Sequence, residues 1–264
     1  MRVVAVALVC LAFALPGCLK SVGIGGSDAP GPVDYVSSNK YDKWVIEMDF
    51  VEGKDPTPAA ISYLVARLKE VVNKPGGVEV QRSDTLAPRG GSWSQDDVLT
   101  TANRTRDLRT DGDTVVLHLL FLDNQYKDAN VLGITYSYSQ GGRVSSSGPI
   151  AIFSDAIKGA ACPPPLGLCL NELAIWEAVL VHEFGHAMGL VDLGAPMQRN
   201  HEAETCTVDG EARPDQGHSS SSSSVMHCAV ETVNIANVFG GGGPPTTYDA
   251  DDKADLCALG GKCP

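Results

Sequence analysis

No apolar run in this chain is long enough to cross a bilayer. The one that comes nearest, Val3 to Leu15, has 13 residues, whereas a spanning helix needs about 20. Positive charge is also scarce: 20 Lys and Arg stand against 32 Asp and Glu, a formal charge of −12. That balance repels nucleic acid and gives an anionic lipid surface little to grip, so no nucleic-acid partner is expected. No Cys-x-x-Cys spacing occurs, which weighs against a thiolate zinc site. No internal repeat is visible. What remains, 43% apolar and 20% charged residues, is the make-up of an ordinary compact domain.

Met1-Arg2 followed by the short apolar run reads as an export signal. The tetrapeptide Leu15-Pro16-Gly17-Cys18 resembles a bacterial lipobox. That resemblance implies cleavage before Cys18 and acylation of its thiol and amine, so the chain would sit on a lipid bilayer through acylated Cys18. Residues 1–17 are then a signal peptide. Residues 18–40, rich in Gly, Ser, Pro and Asp, are expected to be a flexible tether, and residues 41–264 the folded domain. Leu19 after the cysteine is compatible with the outer membrane or cell surface rather than the inner membrane of a bacterial envelope. With Cys10 in the signal and Cys18 lipidated, six cysteines are left to oxidise in an exported chain. Six allow 15 pairings; proximity favours Cys162 with Cys169, Cys206 with Cys228, and Cys257 with Cys263.

Along the domain, five segments read as strands: Trp44 to Val51, Val78 to Gln81, Val115 to Leu122, Val131 to Ser139 and Ile150 to Phe153. The third is apolar throughout, as a strand covered on both faces should be. Helical spacing marks a segment opening at Thr57-Pro58 and stopping at Lys74-Pro75-Gly76-Gly77, a Ser94-capped one to about Arg109, and another from Glu172 to Met188. A last helix spans about Thr247 to Leu259. Some 35 residues after Gly189, including Ser219 to Ser224, read as irregular, solvated loop. The element order describes one mixed domain, α/β or α+β, and α+β is the class expected.

Within the Glu172 to Met188 helix stands His182-Glu183-Phe184-Gly185-His186, an HExxH motif. Residues four apart share one helix face, so two imidazoles can grip one zinc ion while Glu183 reaches the water it activates. Gly189 is placed to end the helix and turn the chain back, so that a later side chain can complete a three-ligand site with one open position.

His-Glu-x-x-His-x-x-Gly followed by Ser224-Val225-Met226 resembles the metzincin zinc metalloproteases, whose active-site helix is followed by a third ligand and a methionine turn under the metal. Gly194-Ala195-Pro196-Met197 and His201 make the chain look most like predicted bacterial zinc-dependent protease lipoproteins. The resemblance implies a zincin domain: a mixed, twisted sheet of about five strands, the active-site helix, a Met-turn at Met226 and a C-terminal helix. It implies zinc held by His182, His186 and a third residue, with Glu183 catalytic. Spacing favours Asp192 for that third place and donor chemistry favours His201. His118 reads as a hydrogen-bonded core residue, and His218 and His227 read as surface residues.

The expected function is a monomeric, membrane-anchored zinc endopeptidase that lays a polypeptide substrate beside an edge strand, Val131 to Ser139, and cleaves it with Glu183 as general base. A non-catalytic surface lipoprotein that binds a partner or zinc would have no need of Glu183 as a base, whereas a hydrolase of non-peptide amides would use the same metal chemistry.

Overall fold

The computed structural model describes residues 19–21, 29–127, 130–140, 143–145, 148–162, 171–208, 211–233, 235–239 and 243–264. The signal peptide, Cys18 and Cys169 lie outside them. The domain is α+β, built on a mostly parallel sheet of seven strands.

In chain order the elements are β1 (Leu19–Ser21), α1 (Pro32–Val36), β2 (Lys43–Val51), α2 (Pro58–Val71), β3 (Gly77–Leu86), α3 (Gln95–Thr105), β4 (Thr114–Leu122) and β5 (Gly133–Gln140). There follow β6 (Arg143–Ser145), β7 (Ile150–Phe153), α4 (Ser154–Ala161), α5 (Glu172–Ala187), β8 (Thr205–Val208), β9 (Glu211–Pro214), the 3-10 turn η1 (Cys228–Glu231), α6 (Ile235–Phe239) and α7 (Ala250–Ala258). The strands lie in the order β1, β5, β7, β4, β2, β3, with β6 also on β5. All five expected strands are present. β5 alone runs against its sheet neighbours β6 and β7, while every other pairing in the sheet is parallel.

Alternation along β2 and β4 divides the core between the two sheet faces. Trp44, Ile46, Met48 and Phe50 share one face with Leu117, Leu119 and Phe121, and α2 and α5 close it with Leu64, Leu68, Val179 and Phe184. The opposite face carries Val51, Leu120 and Leu122 against Val98 and Ala102 of α3. Every residue from 115 to 122 is buried, as the apolar run required. β3 is longer than expected, because beyond Val80 it is a polar, exposed edge strand whose only signal is its pairing with β2.

Residues 29–40 are not a tether. Tyr35 and Val36 of α1 are fully buried, and the Tyr35 ring packs on Trp44, which packs in turn on Phe184 of α5. The Lys74 ammonium donates to the carbonyls of Asp34, Ser37 and Tyr41 at 2.5–2.6 Å, tying down the chain that leads into β2. Pro32 also closes over the end of α5: Gly189 turns there with φ +81, and a Cβ on it would meet the Pro32 ring at 2.7 Å. β1 pairs with residues 135–137 of β5, so β5 is not the outermost strand.

Two disulfides, Cys206–Cys228 and Cys257–Cys263, join the expected pairs. Cys162 is disulfide-bonded as well. No helix among the described residues is long and apolar enough to cross a membrane.

Candidate metal centre

α5 passes through the middle of the core, and 12 of its 16 residues are buried. Asn171 caps it, its side chain accepting from the Leu173 amide. His182 and His186 leave the same face one turn apart, with ring centroids 4.6 Å apart and Nε2 atoms 3.0 Å apart. The His182 Nδ1 lies 2.7 Å from the Val225 carbonyl. A carbonyl only accepts, so the proton is on Nδ1 and Nε2 carries the lone pair.

A third imidazole completes the cluster, and it is His218. Its Nδ1 lies 2.7 Å from the Asp215 carboxylate, which by the same reasoning leaves the lone pair on Nε2. That nitrogen is buried and makes no hydrogen bond among the described residues. The ring stacks on His182 at 5.3 Å and meets His186 edge-on at 5.2 Å. The Glu231 carboxylate of η1 closes the group, 3.4 Å from His218 Nε2 and 3.8 Å from His182 Nε2. One donor atom from each of these four residues lies within 4.8 Å of the others, so together they could hold a metal ion.

The donors fit such an ion. A tetrahedral centre with bonds of about 2.0–2.1 Å to nitrogen separates its ligand atoms by roughly 3.3 Å, close to the 3.0 and 3.4 Å seen here. Burial, and then the neighbouring His218, lower the His182 pKa to about 3. Burial also holds His186 well below the ordinary histidine value. Both rings are therefore neutral, the form that binds metal.

Glu183 faces the opposite wall, on β5. The Thr135 hydroxyl lies 2.8 Å from both the Glu183 carboxylate and its backbone carbonyl. Gly133 leaves room for that carboxylate: a Cβ there would lie 2.6 Å from Oε1. Burial pushes Glu183 up to about 8, opposed by the Thr135 hydrogen bond.

Met226 packs against α5 at Gly185, its sulfur filling the space that a side chain there would take. Gly185→Ala would drive a methyl into that sulfur and toward the Tyr248 ring. It is expected to cost about 1–3 kcal/mol, the usual cost of overpacking. Gly159 in α4 meets nothing within 4 Å, so Gly159→Ala is expected to stabilise by about 0.5–1 kcal/mol. Urea denaturation of the two variants reads both signs, and equal midpoints would mean that Met226 yields freely.

The two residues expected to compete for the third place stand elsewhere. His201 is buried, but its Nε2 lies 2.9 Å from Asp255 of α7 and its Nδ1 faces Ser219 and Asp252. Asp192 is exposed, on a left-handed backbone at φ +61. Conversely, His218 is 2% exposed rather than on the surface. The serine run is not plain solvated loop either. Ser219 and Ser224 are fully buried; the Ser219 amide donates to the Met226 carbonyl, and the Ser224 hydroxyl accepts from the Met226 amide while donating to Asp252. The run is the strap that hangs His218 beside Met226. His227 is half-buried, its Nδ1 accepting from the Ala229 amide at the start of η1. His118 is a core residue bonded to Asp49, as expected.

Neither His218 nor Glu231 carried a local signature. Their only common cue is position, one on each side of Met226 and within eight residues of it. No protein-family model matches this chain, and no curated protein does.

Proposed function

We propose that this chain is a zinc-dependent endopeptidase of the metzincin kind, exported and held at the cell envelope through Cys18. The observation that carries the reading is the set of three buried imidazoles. The rings of His182 and His218 are anchored through Nδ1 to Val225 and Asp215, leaving Nε2 of each for a common ion. A partner of that kind orients a metal-binding ring and sets its tautomer. Met226 under the helix, and Gly189 turning the chain after it, support the family reading.

Zinc held there would act as a Lewis acid on the scissile carbonyl and lower the pKa of a water toward about 7. Glu183, on the same helix, would be the group that accepts a proton from that water and passes it to the leaving amine. Thr135 holds the carboxylate in line. An extended substrate docks on the outer edge of β5, taking the place of residues 19–21. A groove of about 480 Å3 beside η1, lined by Thr205, Thr207, Ser220, His227 and Val238, offers room for a substrate side chain.

The disulfides fit an oxidising compartment, and the Leu15-Pro16-Gly17-Cys18 segment supports lipid anchoring there. The purified chain is expected to carry one zinc and to cleave casein, to lose both properties to a chelator, and to regain both on adding zinc. A zinc-loaded chain that cleaves no peptide would move the reading to a binding protein or to a hydrolase of other amides.

A further inference from the structure

A metal centre that works on water needs one coordination position free of protein. The cluster found here has four protein donors, and Glu231 is the one that the peptidase chemistry does not use. Its carboxylate stands over the imidazoles, with oxygens 3.4 Å from His218 Nε2 and 3.8 Å from His182 Nε2. The shorter of the two is the size that a shared tetrahedral ion imposes on neighbouring ligand atoms, and the longer, made by the other carboxylate oxygen, lies about half an ångström beyond it. The position of Glu231 is set by backbone: its carbonyl accepts from the Leu132 amide, Val131 bridges to Thr232, and the disulfide at Cys228 fixes the other end of η1. The strand that carries Gly133 and Thr135 against Glu183 is therefore continuous with the segment that places Glu231.

Charge and access point the same way. Three neutral imidazoles leave a divalent cation with its full charge in a buried site, and a carboxylate donor halves it. His182, His186, His218 and Glu231 are 0%, 1%, 2% and 4% exposed, so the resting cluster is enclosed by protein.

We infer that Glu231 is a fourth protein donor to the ion, filling in the resting chain the position where water would bind, and that it must withdraw before a substrate is cleaved. This inference rests on the metal reading proposed above. Its test uses the full chain loaded with cobalt(II), whose visible absorption reports its ligands, and azide as the probe. Wild type is expected to leave its spectrum unchanged in millimolar azide, while Glu231→Ala binds azide with a clear spectral shift and holds zinc at least about 10-fold more weakly against a chelator, the smallest loss expected even for an outer partner of a ligand. Glu231→Gln, which keeps the shape of the side chain, is expected to fall between them and covers the case in which the alanine variant does not fold. Azide binding to wild type as readily as to the variants would overturn the inference, since the position would already be open. A wild-type chain that takes up no metal would overturn it together with the metal reading. Metal uptake by wild type with identical spectra in all three proteins would overturn the inference alone.

Discussion

Glu183→Gln is expected to leave the fold and the metal content unchanged and to lower kcat by about 10²–10⁴-fold, the usual worth of a positioned general base. The amide has the same shape as the carboxylate and can still accept from the Thr135 hydroxyl, which lies 2.8 Å from Oε2 in the native site. The space beside Gly133 stays filled as before. What the substitution removes is the ability to take a proton. Burial raises the Glu183 pKa to about 8; a divalent cation held beside it would bring that value down, because a nearby positive charge favours the ionised carboxylate that can accept a proton. KM is expected to change little, because in the proposed reaction the side chain serves the attacking water and not the rest of a substrate. Peptide cleavage followed by steady-state kinetics, beside metal analysis of the same preparation, checks both halves. A variant that keeps its zinc and wild-type kcat would remove Glu183 from the mechanism, while one that loses zinc would place the carboxylate among the ligands.

The helix and its motif were legible in the sequence because their information is local. Apolar residues at helical spacing and Gly189 after them mark α5, and the four-residue step from His182 to His186 determines their common face. β4 was equally plain, since a strand buried on both faces must be apolar throughout. What stayed hidden was decided by contacts between distant parts of the chain. α1 is five residues within a stretch rich in Pro and Gly, and it is held by Trp44 and by the Lys74 ammonium rather than by any pattern of its own. The polar end of β3 exists through its ladder with β2. His218 precedes six serines that read as low complexity. Only the hydrogen bonds of Ser219 and Ser224 to Met226, whose sulfur packs at Gly185, show that the run closes a turn against α5. His201 was attractive as a ligand through its place after Pro196-Met197. Two carboxylates one turn apart on α7, Asp252 and Asp255, claim its ring instead, and nothing near His201 in the sequence announces them.

That substitution of one histidine for another has a measurable consequence. His218→Ala is expected to abolish stable metal binding, with a loss of affinity exceeding the about 10–100-fold that follows removal of an outer-shell partner. Asp215→Asn is expected to show that smaller loss, because the His218 Nδ1 then faces an amide whose orientation must adapt. His201→Ala is expected to keep the metal and to lose stability instead. Its ring is buried against Asp255, which would be left with only the Gln198 amide among the partners seen here; an unsatisfied buried carboxylate costs about 1–3 kcal/mol or more. Asp192→Ala is expected to keep the metal too and to lose on the order of 1 kcal/mol, because alanine accepts the left-handed backbone at φ +61 less readily than aspartate. Chelator competition separates the first pair from the second, and urea denaturation of the metal-free proteins orders the second pair. The opposite result, zinc lost from His201→Ala and kept by His218→Ala, would require the loop carrying His201 to leave α7 and enter the cluster when metal binds. In that case Asp252 and Asp255 would be released together, and α7 would change its hydrogen-exchange protection on metal binding, which the His218 assignment does not require.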